Sequence, residues 1–359
     1  MVRKFIVQGL NGIKEPINCD FHEDINIFTG KNGCGKTTIL KLLWYMMSGK
    51  LRLAFMEVKF DRAELYTDAF ELQIDKSDTA SCKIRYKSDR VSIEQTLPLQ
   101  QMLDRGAGTA KMIHIKFEID EFGMPTIFFP TFRRIEGGFG PKRNVHMPSP
   151  QIALKDALND LSTALSTEHH KFVSSISTDD LVSLVTREYT KISEETNRLQ
   201  QQQSDNIINL IKQRAHTAQS AEILLSQIQS DVEQLEKKRQ RKLKPFSILT
   251  ELVDNIYEHK GISFASFVLG DLRHIVESDQ LSAGEKQMLS FICYNTFSNS
   301  HAIFIDEPEL SLHPDWQRRL VPTLLKQHNN NQFIIATHSP FIYTKYPDRE
   351  FMLDIDKGY

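Results

Sequence analysis

Eight residues, Gly30-Lys31-Asn32-Gly33-Cys34-Gly35-Lys36-Thr37, constrain this chain more than anything else in it. They match G-x-x-x-x-G-K-[ST], and they stand between an apolar run ending in INIFTG and the helix-forming segment KTTILKLLWYMMS at 36–48. Glycines let successive backbone N–H groups curl around an anion, and the helix that follows adds the positive end of its dipole. Lys36 can reach the β- and γ-phosphates of a nucleotide. Thr37, with Thr38 behind it, can offer a hydroxyl to Mg²⁺. The pattern predicts an α/β fold with a phosphate site where its first helix begins.

Two later segments carry complementary chemistry. In Ala302-Ile303-Phe304-Ile305-Asp306-Glu307-Pro308 an apolar strand delivers two carboxylates at its C-terminal end, where open α/β sheets bind ligands. Asp306 is the candidate metal ligand, and Glu307 is the candidate to polarise an attacking water. Taken alone, the segment is also an ordinary strand end. In Leu281-Ser282-Ala283-Gly284-Glu285-Lys286-Gln287 a Ser and a Gly open an apolar helix and expose N–H donors. Taken alone, it is simply an N-cap.

The order of phosphate loop, LSAGEKQ, FIDEP and a strand ending in Ala336-Thr337-His338-Ser339 resembles the ABC-type P-loop ATPases. LSAGEKQ looks like their signature motif, and His338 like their switch histidine. The resemblance implies a catalytic set of Lys36, Glu307 and His338, with Mg²⁺ on Thr37 and Asp306. ATP contacts would come from Gly30, Lys31, Asn32, Gly33, Cys34, Gly35, Lys36, Thr37 and Thr38, and from Ser282, Gly284 and Glu285. It also implies head-to-head dimers in which the signature of one copy completes the ATP site of the other. The implied fold is an ABC-type head with a mixed core sheet, an antiparallel β-subdomain at about 50–135 and a helical or coiled-coil insertion.

Glu309-Leu310-Ser311-Leu312-His313-Pro314 is similar to the soluble branch of that class, which includes SMC, RecF and overcoming-lysogenization-defect proteins. DEPELSLHPDWQ and Phe129-Pro130-Thr131-Phe132-Arg133-Arg134-Ile135-Glu136 most resemble small antiphage-defence ATPases such as the Septu-type subunit. The resemblance then implies a regulatory ATPase that controls a nuclease or toxin effector on another chain, with DNA or RNA as a further partner. The alternative is a RecF- or SMC-like repair ATPase. A transporter motor fits less well, because Lys36 and Ser282 lie two-thirds of the chain apart. One departure stands out: no Q-loop glutamine can be placed, and the position after TIFFPTF offers Arg133 and Arg134 instead. These arginines either contact phosphate or a partner, or form a surface ion pair with Glu136.

Three segments follow: 1–150 with the phosphate loop, 151–260 helical, and 261–359 with the signature, the Asp-Glu strand and His338. Short alternating runs from 53 to 135 (LAFMEVKF through TIFFPTF) predict strands. Between Pro150 and Pro245 neither glycine nor proline occurs, so nothing breaks a long helix. Val182, Val185, Tyr189, Ile192, Thr196 and Leu199 make a narrow seam that wants one partner helix, and Ala218, Ala221, Leu225, Ile228, Val232 and Leu235 repeat it. QQQQSDN is the expected interruption between them.

With 44 basic and 46 acidic residues the chain has no global field for nucleic acid or membrane. The basic run from Lys237 to Lys244 either grips a phosphate backbone or is a solvated helix end; Pro141-Lys142-Arg143 is a weaker case. Cys19, Cys34, Cys82 and Cys293 lie far apart and read as free thiols. Neither a signal peptide nor a membrane-length apolar run is expected, which fits a cytoplasmic protein. His169-His170 reads as surface helix rather than a metal pair. Asp354 and Asp356 alone do not make a nuclease acidic set.

Overall fold

The structure is a computed structural model that describes residues 1–13, 15–76, 80–99, 110–131, 134–135, 150–176, 178–214, 218–257, 282–327 and 329–353. Strands β1 (Val2–Gln8) and β2 (Ile17–Asp20) precede β3 (Ile25–Thr29) and helix α1 (Lys36–Met47). Helix α2 (Leu51–Glu57) leads to β4 (Arg62–Thr67), β5 (Phe70–Asp75), β6 (Ser81–Ser88) and β7 (Ser92–Pro98). Then come α3 (Ala110–Phe122), β8 (Thr126–Phe129), β9 (Arg134–Ile135), α4 (Pro150–Leu165), β10 (His170–Phe172) and β11 (Ser175–Ile176). The long helices α5 (Thr178–Arg214) and α6 (Ala218–Tyr257) follow. The chain continues through α7 (Ala283–Thr296), β12 (Ala302–Asp306), α8 (Pro314–Leu325), β13 (Gln332–Ala336), α9 (Pro340–Tyr343) and β14 (Glu350–Met352).

The described residues form two compact units. The first comprises Met1–Ile176, Ala283–Met288 and Ser298–Tyr359. Its six-stranded core sheet runs β10-β8-β12-β13-β3-β14, and every neighbouring pair in it is parallel. Strands β3, β8, β12 and β13 are buried throughout, as apolar runs in a covered parallel sheet should be. A second six-stranded sheet, β2-β1-β4-β5-β6-β7, is antiparallel. Gln332 ties the two sheets: its side chain accepts from Val2 N–H at 2.8 Å and donates to the carbonyls of Val2 and His22 at 2.8 and 2.7 Å.

Helix α1 is seated by aromatic packing. Trp44 is fully buried, stacked on Phe128 with centroids 5.5 Å apart and tilted against Phe172 at 5.3 Å. Phe128 in turn meets Phe304 of β12. Truncating a core aromatic of this kind costs roughly 3–5 kcal/mol, so the helix behind the phosphate loop has a rigid backing.

Some alternating runs that predict strands are helices. LAFME lies in α2, which buries Leu51, Ala54 and Phe55 at helical spacing. MIHIKFEI lies in α3, where Ile115 and Ile119 are fully buried while Ile113 and Phe117 are 63% and 53% exposed. Alternate apolar residues over a short run satisfy both periods, and tertiary burial chose the helical one. TIFF joins the parallel sheet as β8, and β1 and β2 join the antiparallel one. His169 and His170 are not on a helix. His170 is fully buried in β10, with its Nδ1 3.0 Å from the Thr126 hydroxyl.

The second unit comprises Ser177–Ser282 and Leu289–Phe297. The Glu195–Lys242 ion pair and the Tyr189–Phe246 edge contact at 5.5 Å set α5 and α6 side by side and antiparallel. The expected seam is visible on α5: Val182 and Val185 are buried, and Tyr189, Ile192, Thr196 and Leu199 are half-buried. QQQQSDN does not interrupt it, since α5 runs unbroken to Arg214. These polar residues face solvent without any helix-breaking residue among them. Val232, assigned to the seam by spacing, is 49% exposed. The side chains of Ala218, Ala221 and Leu225 lie outside the described residues. In the basic run Lys242 is the partner of Glu195, while Lys237, Lys238, Arg239 and Arg241 are exposed.

Candidate active site

The loop Gly30–Gly35 leaves β3 and enters α1 with Gly30, Gly33 and Gly35 at φ 134°, 83° and 105°. Side chains with a Cβ adopt such angles at a cost, which is why glycine stands at these turns. The first turn of α1 has no acidic residue and no side-chain cap, so its leading N–H groups are aimed into the loop. Lys36 is buried, and its ammonium donates to the carbonyls of Gly30 and Lys31 at 2.8 and 3.1 Å. Cys34 Sγ lies 3.9 Å from the same nitrogen. Lys31, Asn32 and Gly33 form the exposed lip, and Thr37 and Thr38 are half-buried.

Strand order carries the Asp-Glu pair to this loop. β12 lies between β8 and β13, and β13 pairs with β3, so the C-terminal ends of all four strands open on the same side. Asp306 is fully buried there. Its Oδ1 accepts from the Thr37 hydroxyl at 3.1 Å, and its Oδ2 from the Thr131 hydroxyl. The sequence points to Arg133 and Arg134 at this place, whereas the structure brings Thr131 to Asp306. The available signal was a hydroxyl two residues after the apolar strand TIFF. Arg133 lies outside the described residues, and Arg134 opens β9.

Glu307 sits in the left-handed region, φ 45° and ψ 61°, with its N–H donating to Ala336 O at 2.8 Å. A non-glycine residue held there stores about 1–3 kcal/mol of strain. Burial, and next the charge of Asp306, push the Glu307 carboxyl above the usual glutamate range. His338 Nδ1 lies 3.8 Å from Glu307 Oε1 and 3.4 Å from Glu309 Oε1. In sequence Glu309 stands out only as part of a segment similar to other chains; the structure sets it directly on His338.

The 3-10 turn Pro308–Ser311 also holds the start of α7. Gln287 donates to Pro308 O at 3.0 Å, and Gly284 packs against Ser311 O. Glu285 is buried, whereas Ser282 is exposed. The first unit thus brings the loop, Asp306, Glu307 and His338 together, with Gly284 and Glu285 beside the turn that follows them.

These groups suit a magnesium nucleotide. Hard oxygen donors, Thr37 and Asp306, lie side by side next to an uncapped helix start and a lysine. Among the described residues no group of three or more His, Cys, Asp or Glu is placed to hold a metal; Thr37 and Asp306 are the residues that would hold Mg²⁺.

Comparison with known proteins points to an ATPase family. A family described as "AAA domain, putative AbiEii toxin, Type IV TA system" matches residues 160–343, half of the chain. The chain belongs to that family. Residues 1–129 match a family described as "AAA ATPase domain". Among curated relatives, "Retron Ec83 probable ATPase" of Escherichia coli is 39% identical over 74 residues, 17% of this chain and 14% of that protein. "Septu protein PtuA" of Bacillus thuringiensis is 30% identical over 95 residues, 26% of this chain and 24% of that protein. The matched segments thus span under a quarter of either relative's own length. An Smc head domain with extended coiled coil from Pyrococcus furiosus aligns over 96% of this chain and 91% of its own, at 12% identity and TM-score 0.38. Among the described residues no helix is long and apolar enough to cross a membrane.

Proposed function

We propose that this chain binds and hydrolyses Mg²⁺–ATP. The observation that carries the reading is the hydrogen bond from Thr37 to Asp306, which joins the phosphate loop to the Asp-Glu strand across most of the sequence. In this reading Lys36 and the N–H groups opening α1 hold the β- and γ-phosphates. Thr37 and Asp306 hold Mg²⁺, which neutralises phosphate charge when bound. Glu307, strained and carrying a raised pKa, orients and polarises the attacking water. His338 meets the γ-phosphate oxygens. Calorimetric titration of ATP into wild-type protein and Lys36→Ala tests it; equal affinity in the two would refute the phosphate-loop assignment.

The working unit in this reading is a dimer whose exposed Ser282 faces ATP bound by the other copy. The likeness of LSAGEKQ to a signature motif and the exposure of Ser282 support it. ATP then acts as a clamp whose state another chain can read. The named relatives, ATPases of retrons and a Septu protein, support a role in antiphage defence with a nuclease or toxin effector as that chain. The paired helices α5 and α6 serve as a short coiled-coil arm. Co-purification of tagged protein with the products of neighbouring genes, with and without ATP, tests the effector assignment.

A further inference from the structure

We propose that Glu309 is a positioning residue for His338, holding the histidine's main chain and ring Nδ1 on one carboxylate oxygen so that Nε2 is left to meet phosphate. The inference rests on the ATPase reading for the purpose of that histidine. Glu309 Oε1 accepts from the His338 backbone N–H at 2.8 Å and lies 3.4 Å from its Nδ1. The Glu309 side chain is 7% exposed, and its Oε2 is buried with no hydrogen-bond partner among the described residues.

Burying a carboxylate with one oxygen unsatisfied is costly, and the cost calls for a reason. Simple anchoring of the loop is not that reason, because Gln317 already provides it. Gln317 Nε2 donates to Leu312 O at 2.7 Å and to Glu309 O at 3.4 Å, and its Oε1 accepts from Ser339 Oγ at 2.5 Å. Gln317 therefore ties the backbone of the Glu309 turn to the side chain of Ser339, the residue after His338, without the carboxylate. What the carboxylate adds is directional: a negative oxygen against one ring nitrogen. Such a partner sets the tautomer and orientation of an imidazole. Among the described residues, the carboxylates within ion-pair distance of His338 Nδ1 are Glu309 at 3.4 Å and, farther off at 3.8 Å, Glu307.

The arrangement also reaches the surface. Leu310, next to Glu309 in the same turn, is 57% exposed.

Glu309→Gln keeps the shape and an oxygen for the backbone N–H while removing the charge. The primary measurement is the ring ¹⁵N signature of His338 in nucleotide-free protein, assigned by difference from His338→Gln. Wild type should carry its proton on Nδ1, and Glu309→Gln should shift it toward Nε2. ATP affinity should stay within about twofold while turnover falls at least about tenfold. Combining Glu309→Gln with His338→Ala should cause no further loss beyond His338→Ala alone. Glu309→Ala, checked for folding by circular dichroism, should move the ring signature the same way. An unchanged ring signature in both variants, or wild-type turnover in Glu309→Gln beside a slow His338→Ala, would overturn the proposal. Should wild-type protein hydrolyse no ATP, the ATPase reading falls, and the ring signature alone decides whether Glu309 sets His338.

Discussion

Gly284 lies so close to Ser311 that a Cβ added to it would meet the Ser311 carbonyl oxygen at 2.2 Å. The obstacle is backbone, not the tip of a flexible side chain. The glycine opening α7 is thus required by its own chain, whatever it also offers to a neighbour. Gly284→Ala should destabilise the nucleotide-free protein by about 1–3 kcal/mol, the usual cost of overpacking. Equilibrium denaturation without nucleotide checks this, and unchanged stability would show that the turn Pro308–Ser311 yields.

Ser282 is the better probe of a shared site, because it is exposed. Ser282→Asp should leave folding and ATP binding intact but block pairing, since a carboxylate would confront phosphate across the interface. Mixing it with Lys36→Ala should restore hydrolysis in heterodimers holding one intact site. If wild-type protein stays monomeric with ATP by light scattering, and Ser282→Asp turns over normally, the composite site is wrong.

Lys36→Ala should reduce ATP affinity by about a hundredfold or more, equivalent to about 3 kcal/mol, because in the proposed reading Lys36 is the cation that meets the β- and γ-phosphates. Titration calorimetry at matched magnesium concentration reads this directly.

Glu307→Gln should bind ATP as wild type does while turnover falls by about 10²–10⁴, the range for loss of a general base. Phosphate release under saturating ATP is the measurement. Turnover within about threefold of wild type, under ~0.7 kcal/mol of barrier, would remove the catalytic role.

His170 should make stability depend on pH. Burial pushes its pKa down from the ordinary 6.5 to about 4, with Asp120 opposing. The folded state therefore keeps His170 neutral where the unfolded chain takes up a proton. Its contribution is fully present above the ordinary histidine pKa, is lost as pH falls from about 6.5 toward 4, and levels off below that. At about 1.4 kcal/mol per pKa unit the total approaches about 3 kcal/mol. Denaturation of wild type and His170→Gln across this window should show a shallower slope in the variant. Parallel slopes would contradict the assignment.

Much of the site was legible because its residues are contiguous. A loop of glycines ending in Lys36-Thr37 carries its own local geometry, and the apolar run before Asp306-Glu307 announces a buried strand end. The long helices Thr178–Arg214 and Ala218–Tyr257 were legible too, because neither glycine nor proline interrupts the run before Pro245. Yet the same run also holds the strands His170–Phe172 and Ser175–Ile176, which the absence of breakers did not reveal. Where pattern failed, two periods fitted one short run: in α3 the alternating Ile113, Ile115, Phe117 and Ile119 allowed a strand, and only packing separated the buried pair from the exposed one.

Sequence by itself determined which groups the chain carries: a glycine-rich loop, a lysine, two carboxylates and a histidine, each at a strand end or helix start. Only tertiary structure decided which of them meet. Thr131 reaches Asp306 because β8 lies beside β12 in parallel register, Phe129 against Ile305. Glu309 reaches His338 because β13 flanks β12 on the other side, Asp306 against Ala336. Strand order is a long-range choice settled by burial of whole faces, such as Trp44 against Phe128 and Phe172, and no local run of residues encodes it.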